Sequence, residues 1–298
     1  MIKEKLKIKT LIEYLTAIDE AYEVYGDTEK TINGFSSIYD YQNGTMTWIR
    51  SKENLEKAEV EPSAITLLIS TELIEGCPCC ITAKDPHRLF FYLIEYFFCE
   101  TKEVTIGKNS IISMTASIGK NVAIGNNCTI GENVQIGDET RIYNNVSIAD
   151  NVVIGENCTI KSGAVIGEEG FGFLKDKNGI QHRVPHMGSV IIGNYVDIGA
   201  NTCIDRGVME NTIIKDHAKI DNLCHIAHNT EIGQNTTVVA LTLLGGSTKV
   251  GDNCWIGTST IRNLLEIGDN AFIGIGSNVV GNVEKDTLVY GNPAKKRK

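Results

Sequence analysis

From Ile106 onward, isoleucine returns at every sixth position: Ile112, Ile118, Ile124, Ile130, Ile136, Ile142, Ile148, Ile154, Ile160 and Ile166. Units such as "SIGKNV", "AIGNNC", "TIGENV" and "QIGDET" set that isoleucine beside a glycine and an Asn- and Asp-rich remainder. This is the hexapeptide pattern of a left-handed parallel β-helix, in which each unit supplies one short strand and one corner. One large aliphatic side chain points inward per face, and three faces close a coil of about 18 residues. Glycine and asparagine are expected at the corners because they tolerate the left-handed backbone conformation that the turn needs.

The rhythm breaks after Ile166 for "GEEGFGFLKDKNGIQHRVPHMGS", resumes at Ile192, Ile198 and Ile204, slips again through "DRGVMENT", and runs from Ile214 to Ile256. The first break predicts a loop extruded from a corner near residues 168–188, and loops on rigid scaffolds often carry function. Before residue 104 the period is absent. There "TLIEYLTAIDEAYEVYG" predicts a helix, "AITLLIS" a buried strand, and "DPHRLFFYLIEYFFCE" a helix with Asp85 as N-cap and Pro86 in its first turn. Residues 1–103 therefore read as a small α/β domain and residues 104–298 as the β-helix domain.

Composition narrows the function. A net charge of −9 over 298 residues argues against nucleic-acid binding, which needs clustered cations to displace counterions, and the one basic cluster is the terminal "AKKRK". There is no apolar run of the roughly 18 residues that a membrane span needs, and no signal-peptide pattern follows Met1. A cytoplasmic chain without membrane insertion is expected. Of nine cysteines, Cys128, Cys158, Cys224 and Cys254 each stand two residues before a repeat isoleucine and read as small buried thiols. "CPCC" at 77–80 lacks the second ligand pair of a structural zinc site, so no metal is expected there.

Two of the six histidines fall within "IDNLCHIAHNTEIG", residues 220–233. Ile226 points inward on this register, so His225 faces outward and His228 lies at the following corner. A lone corner histidine is ordinarily a solvated polar residue. Gly246 in "LLGGSTKVG", however, follows His228 by three hexapeptides, one coil, and should stack beside it. A base next to a bare N–H suits acyl transfer: the incoming amine must lose a proton while the thioester oxygen acquires negative charge. A zinc site of the kind that gamma-class carbonic anhydrases assemble between subunits, here from His217, His225 and His228, is the metal alternative, but the spacing carries no metal signature.

"GEEGFGF", "GSVIIGNYVDIGANTCIDRG" and "IDN…IAHN" resemble the central coils of UDP-3-O-acylglucosamine N-acyltransferases of lipid A synthesis, and "GFSSIYDYQNGTMTWI" resembles their nucleotide-binding domain. The resemblance implies that His228 is the base, that Gly246 supplies the oxyanion N–H, and that Asn222 and His225 bind substrate beside them. Where that family has Phe, Asn and Tyr around the uracil, this chain has Trp48, Ser51 and Asn54. A second histidine expected in "TSTIRNLLEIG" is missing, and no helix trails "GNPAKKRK". "YGNPAKK" resembles instead the last coil of acetyltransferases that use coenzyme A, with Lys295, Lys296, Arg297 and Lys298 available to its phosphates.

These features together predict a homotrimeric N-acyltransferase with no tightly bound cofactor. Acyl-coenzyme A is the expected co-substrate, and the acceptor is a nucleotide-linked amino sugar such as a dTDP-linked amino-deoxy sugar, its base stacked on Trp48. The lipid A enzyme itself, with acyl carrier protein as donor, is the alternative. A zinc trimer and a non-catalytic β-helix scaffold are further ones. The sugar, its nucleotide and the acyl length are not legible in the sequence.

Overall fold

The computed structural model describes residues 5–99 and 104–296. Contacts divide the chain into two units, Met1–Thr101 and Lys102–Lys298.

In the first unit a four-stranded sheet runs in the order Glu23–Gly26, Cys79–Thr82, Leu67–Ser70, Met46–Trp48. The last three strands are parallel and Glu23–Gly26 is antiparallel to its neighbour. Helix Pro86–Phe98 buries Leu89, Phe90 and Leu93 in the same cluster as Leu67, Ile69 and Ile81 of the sheet. Its start is set as the sequence implies: Asp85 accepts a hydrogen bond from the Arg88 N–H at 3.1 Å, and Pro86 needs no donor in the first turn. The first helix is shorter than its sequence pattern implied. It spans Ile8–Ala17, Asp19 turns left-handed (φ 55°), and "EVYG" pairs as a strand with Cys79–Thr82. An aliphatic and an aromatic residue flanked by turn formers fit a pleated edge better than another helical turn.

The second unit is a left-handed parallel β-helix. Its strands of mostly two or three residues stack into sheets of nine, eight and ten strands. The register aligns each repeat aliphatic with its equivalent one coil on, as in Ile130 with Ile148 and Ile226 with Leu244. The stack forms one buried column, where Ile160, Ile198, Ile226 and Ile256 are all but inaccessible. Cys128, Cys158, Cys224 and Cys254 are buried in that column as well.

Corner chemistry differs from expectation in one respect. The left-handed residue is the asparagine three positions after the repeat aliphatic, as at Asn121, Asn127, Asn133 and Asn145, with φ between 55° and 58°. Apart from Gly167 (φ 88°), the glycines directly after the aliphatic are not in that region; they are required by close approach. A Cβ on Gly125 would lie 2.6 Å from the Tyr143 carbonyl carbon of the next coil, which real structures do not tolerate.

Residues 168–188 leave the coil. Strand Val165–Glu169 runs past the repeat, Phe173–Lys175 and Gln181–Arg183 form an antiparallel hairpin, and the chain returns through His186 and Gly188 to Val190–Ile192. Among the described residues no helix is long and apolar enough to cross a membrane.

Candidate active site

At an ordinary corner, the N–H two positions after the repeat aliphatic donates to a carboxamide or carboxylate one coil later. Examples are Glu132 to Asp150 Oδ1 at 2.7 Å and Gln234 to Asp252 Oδ1 at 2.7 Å. His228 holds this position after Ile226, and the residue above it, after Leu244, is Gly246. Glycine offers no acceptor, so the ladder is interrupted. Among the described residues, neither the His228 N–H nor the Gly246 N–H donates a hydrogen bond to the protein. The space that a side chain would fill is taken by the imidazole: a Cβ on Gly246 would lie 2.7 Å from both Cε1 and Nε2 of His228.

The imidazole is oriented by the next residue. Asn229 Oδ1 accepts from the Val208 N–H at 3.0 Å, and Asn229 Nδ2 donates to the Glu210 carbonyl at 3.2 Å, which sets the amide orientation. His228 Nδ1 lies 3.0 Å from that same Oδ1. An amide oxygen only accepts, so Nδ1 carries the proton and Nε2 presents its lone pair beside Gly246.

Two further groups meet His228 that its repeat pattern did not announce. His186, returning from the extruded segment, is buried and sets its ring edge-to-face against His228, with centroids 5.4 Å apart. Asp205, also buried, lies with its Oδ2 3.7 Å from His225 Nε2. Burial pushes the Asp205 carboxyl above the usual carboxylate range, and the nearby His225, His228 and His186 oppose that shift. A 38-residue offset between paired strands, Val165 with Cys203, hides these neighbours from repeat arithmetic. The signal available was the histidine in "VPHMGS", one of two in the break.

The other candidates are distributed as follows. His225 is partly exposed and faces outward on the strand leading to His228. Asn222 lies at the preceding corner with its Oδ1 committed to the Ala200 N–H at 2.7 Å, an ordinary corner brace. His217 lies at a different corner from His228 within the chain, with its ring stacked on Tyr195. Among the described residues no cluster of His, Cys, Asp or Glu is arranged to hold a metal. In "CPCC", burial pushes the Cys77 thiol up to about 12 and Cys79 to about 11.

In the first unit, half-buried Trp48 lines a cavity of about 630 Å³ with Phe35, Arg50, Asn54, His87 and Phe91, and its ring meets His87 edge-on at 4.7 Å. Ser51 caps helix Lys52–Ala58, and Asn54 closes that capping box while donating to the Tyr39 hydroxyl at 3.0 Å. Lys295 and Lys296 are exposed on a strand paired with Leu288–Tyr290, and Lys296 Nζ is engaged by Glu284 at 2.8 Å. Arg297 and Lys298 lie outside the described residues.

The bacterial transferase hexapeptide (six repeats) family matches residues 103–138 and 133–168. The chain carries bacterial-transferase hexapeptide repeats. It is also 44% identical over 124 residues to the UDP-3-O-acylglucosamine N-acyltransferase of Campylobacter lari, a match covering 41% of this chain and 39% of the relative. Against the corresponding enzyme of Bordetella avium it is 44% identical over 121 residues, 39% of this chain and 34% of that one. The chain thus spans well under half the length of these curated relatives. Among solved structures, LpxA from Acinetobacter baumannii superposes with a TM-score of 0.59 at 27% identity, covering 65% of this chain and 74% of that one. The UDP-N-acetylglucosamine acyltransferase of Francisella novicida gives 0.58 at 26% identity, over 64% and 68%. Both the repeats and the nucleotide-sugar acyltransferase likeness agree with the resemblance drawn from the sequence.

Proposed function

We propose that this protein is an N-acyltransferase that moves an acyl group from a thioester to the amine of a nucleotide-linked amino sugar. The contact of His228 with Gly246 carries the reading. In it, Nε2 takes a proton from the attacking amine, Nδ1–H stays on Asn229, and the Gly246 N–H receives the oxygen as it becomes an oxyanion. Collapse of the tetrahedral intermediate expels the thiolate. A positioned base contributes about 10²–10⁴ in rate and an oxyanion donor about 10²–10³.

The relatives' names favour a UDP-linked glucosamine bearing an acyl group at its 3-oxygen as acceptor, in preference to the dTDP-linked sugar expected from the altered base pocket. Trp48, in its cavity beside Arg50 and His87, suits a planar base and its phosphates. Acyl carrier protein is preferred as donor on the resemblance drawn from the sequence, and the partnering of Lys296 by Glu284 weakens the case for a dedicated coenzyme A phosphate site. Coenzyme A stays as the second reading on the exposure of Lys295. A homotrimer is supported by Trp255, Phe272 and Leu288, which are outward and exposed on successive coils, the first two rings stacked at 6.2 Å. Light scattering at micromolar concentration tests it. The activity is tested by mass spectrometry of the amide product with each donor.

A further inference from the structure

Asp205 is an anomaly for a residue on a β-helix. Its carboxylate is buried, yet none of the described residues donates a hydrogen bond to it. A buried carboxylate without donors is costly, and such groups concentrate at functional sites. Here the surroundings are specific. A Cβ on Gly170 would lie 3.1 Å from Asp205 Oδ2, 3.2 Å from His186 Nε2 and 3.3 Å from His228 Cβ, so all three residues converge under the return of the extruded segment. His186 donates Nδ1–H to the Val184 carbonyl at 2.9 Å, and its buried Nε2 has no partner. His186 therefore gives Asp205 no hydrogen bond and packs beside it.

Every other charge facing this place is accounted for elsewhere. Glu168, opposite Asp205 in register, is exposed; Glu169 lies near Arg183 at 3.7 Å and accepts from the His186 N–H at 3.4 Å; the Arg206 guanidinium donates to the Gly167 and Asp150 carbonyls. The Cys203 thiol, one coil below His225, is pushed up by burial and by Asp205 itself, so it brings no positive charge. What remains for Asp205 is His225 at 3.7 Å and His228.

We propose that Asp205 is the counter-ion of the site, a positioning residue whose carboxylate stabilises the imidazolium that forms on His228 when it takes the amine proton, with His225 as its solvent-side partner. The proposal rests on the acyltransferase reading for its catalytic meaning but not for its geometry. A largely buried carboxylate is worth more to a developing positive charge than one in solvent, because the local dielectric is lower.

The test uses Asp205→Asn, which is isosteric, with Asp205→Ser as a second removal of the charge, each checked for native melting and circular dichroism. In ring-labelled apo protein, the pH midpoint of the His228 signal is expected to fall by about half a unit or more in both variants. In the acyl-transfer assay kcat is expected to fall at least about tenfold, with KM little changed and the acid limb of the pH profile moved to lower pH. A folded variant in which neither the His228 midpoint nor the pH profile moves overturns the proposal. A shifted midpoint in a protein that acylates no amino sugar upholds the counter-ion and refutes the acyltransferase reading, so the two failures are separable.

Discussion

His228 occupies the side-chain space that Gly246 leaves empty, so closely that a single added methyl would sit 2.7 Å from Nε2. Gly246→Ala is therefore expected to keep the β-helix, whose core it does not touch, while displacing the imidazole and lowering kcat by 10²-fold or more, about the worth of an oxyanion donor. Gly281→Ala is the control: a Cβ there meets nothing within 4 Å, so its melting temperature and activity should match the parent. Equal kinetics for the two variants would show that the contact is incidental.

His228→Ala should leave thermal unfolding near that of the parent, because the imidazole is only half-buried, and cut kcat by roughly 10²–10⁴. Asn229→Leu removes the acceptor for Nδ1–H. With the tautomer no longer held, kcat should drop about tenfold or more at unchanged KM. An Asn229→Leu protein with parental kcat would refute the tautomer argument.

Asp205 also makes a stability prediction. Its carboxyl is raised above the ordinary range, so between the ordinary and the raised value the folded protein binds the proton more tightly than the unfolded chain. Stability contributed by the protonated carboxyl is present at low pH and is lost as pH rises through that window. Asp205→Asn should flatten this slope and melt at or above the parent temperature at neutral pH, while losing activity. A variant that is destabilised at neutral pH would indicate that Asp205 holds the fold.

The repeat made the β-helix, its inward column and the pairing of His228 with Gly246 legible, because register alone places residues one coil apart. It could not reveal Asp205 or His186. Both depend on the extruded segment, whose length decouples position along the chain from position on the prism, and on a return path that no period describes. The first unit was partly legible: Asp85 and Pro86 mark a helix start by local chemistry, whereas the strand at "EVYG" is held by pairing with Cys79–Thr82, a distant partner that local patterning does not show. Gly163 and Gly276 take the left-handed corner as expected, whereas most glycines directly after the repeat aliphatic have another cause. Close approach of successive coils demands these, and asparagine most often takes the left-handed turn.

Trp48 offers a direct probe of the nucleotide. The chain has only two tryptophans, so Trp255→Phe leaves Trp48 as the sole indole. Titration with UDP should then quench its fluorescence, and Trp48→Ala should weaken binding by the roughly 1–3 kcal/mol that aromatic stacking on a base provides. Unquenched fluorescence at millimolar UDP would remove the base from this cavity.

The most direct test of the whole account is N-acylation itself, followed by mass spectrometry with UDP-linked 3-O-acylglucosamine as acceptor and acyl carrier protein or coenzyme A thioesters as donors. The account predicts an amide product at the sugar nitrogen from the parent protein, and turnover lower by 10²-fold or more from His228→Ala. No amide with any thioester donor, or equal turnover from the two proteins, would contradict it.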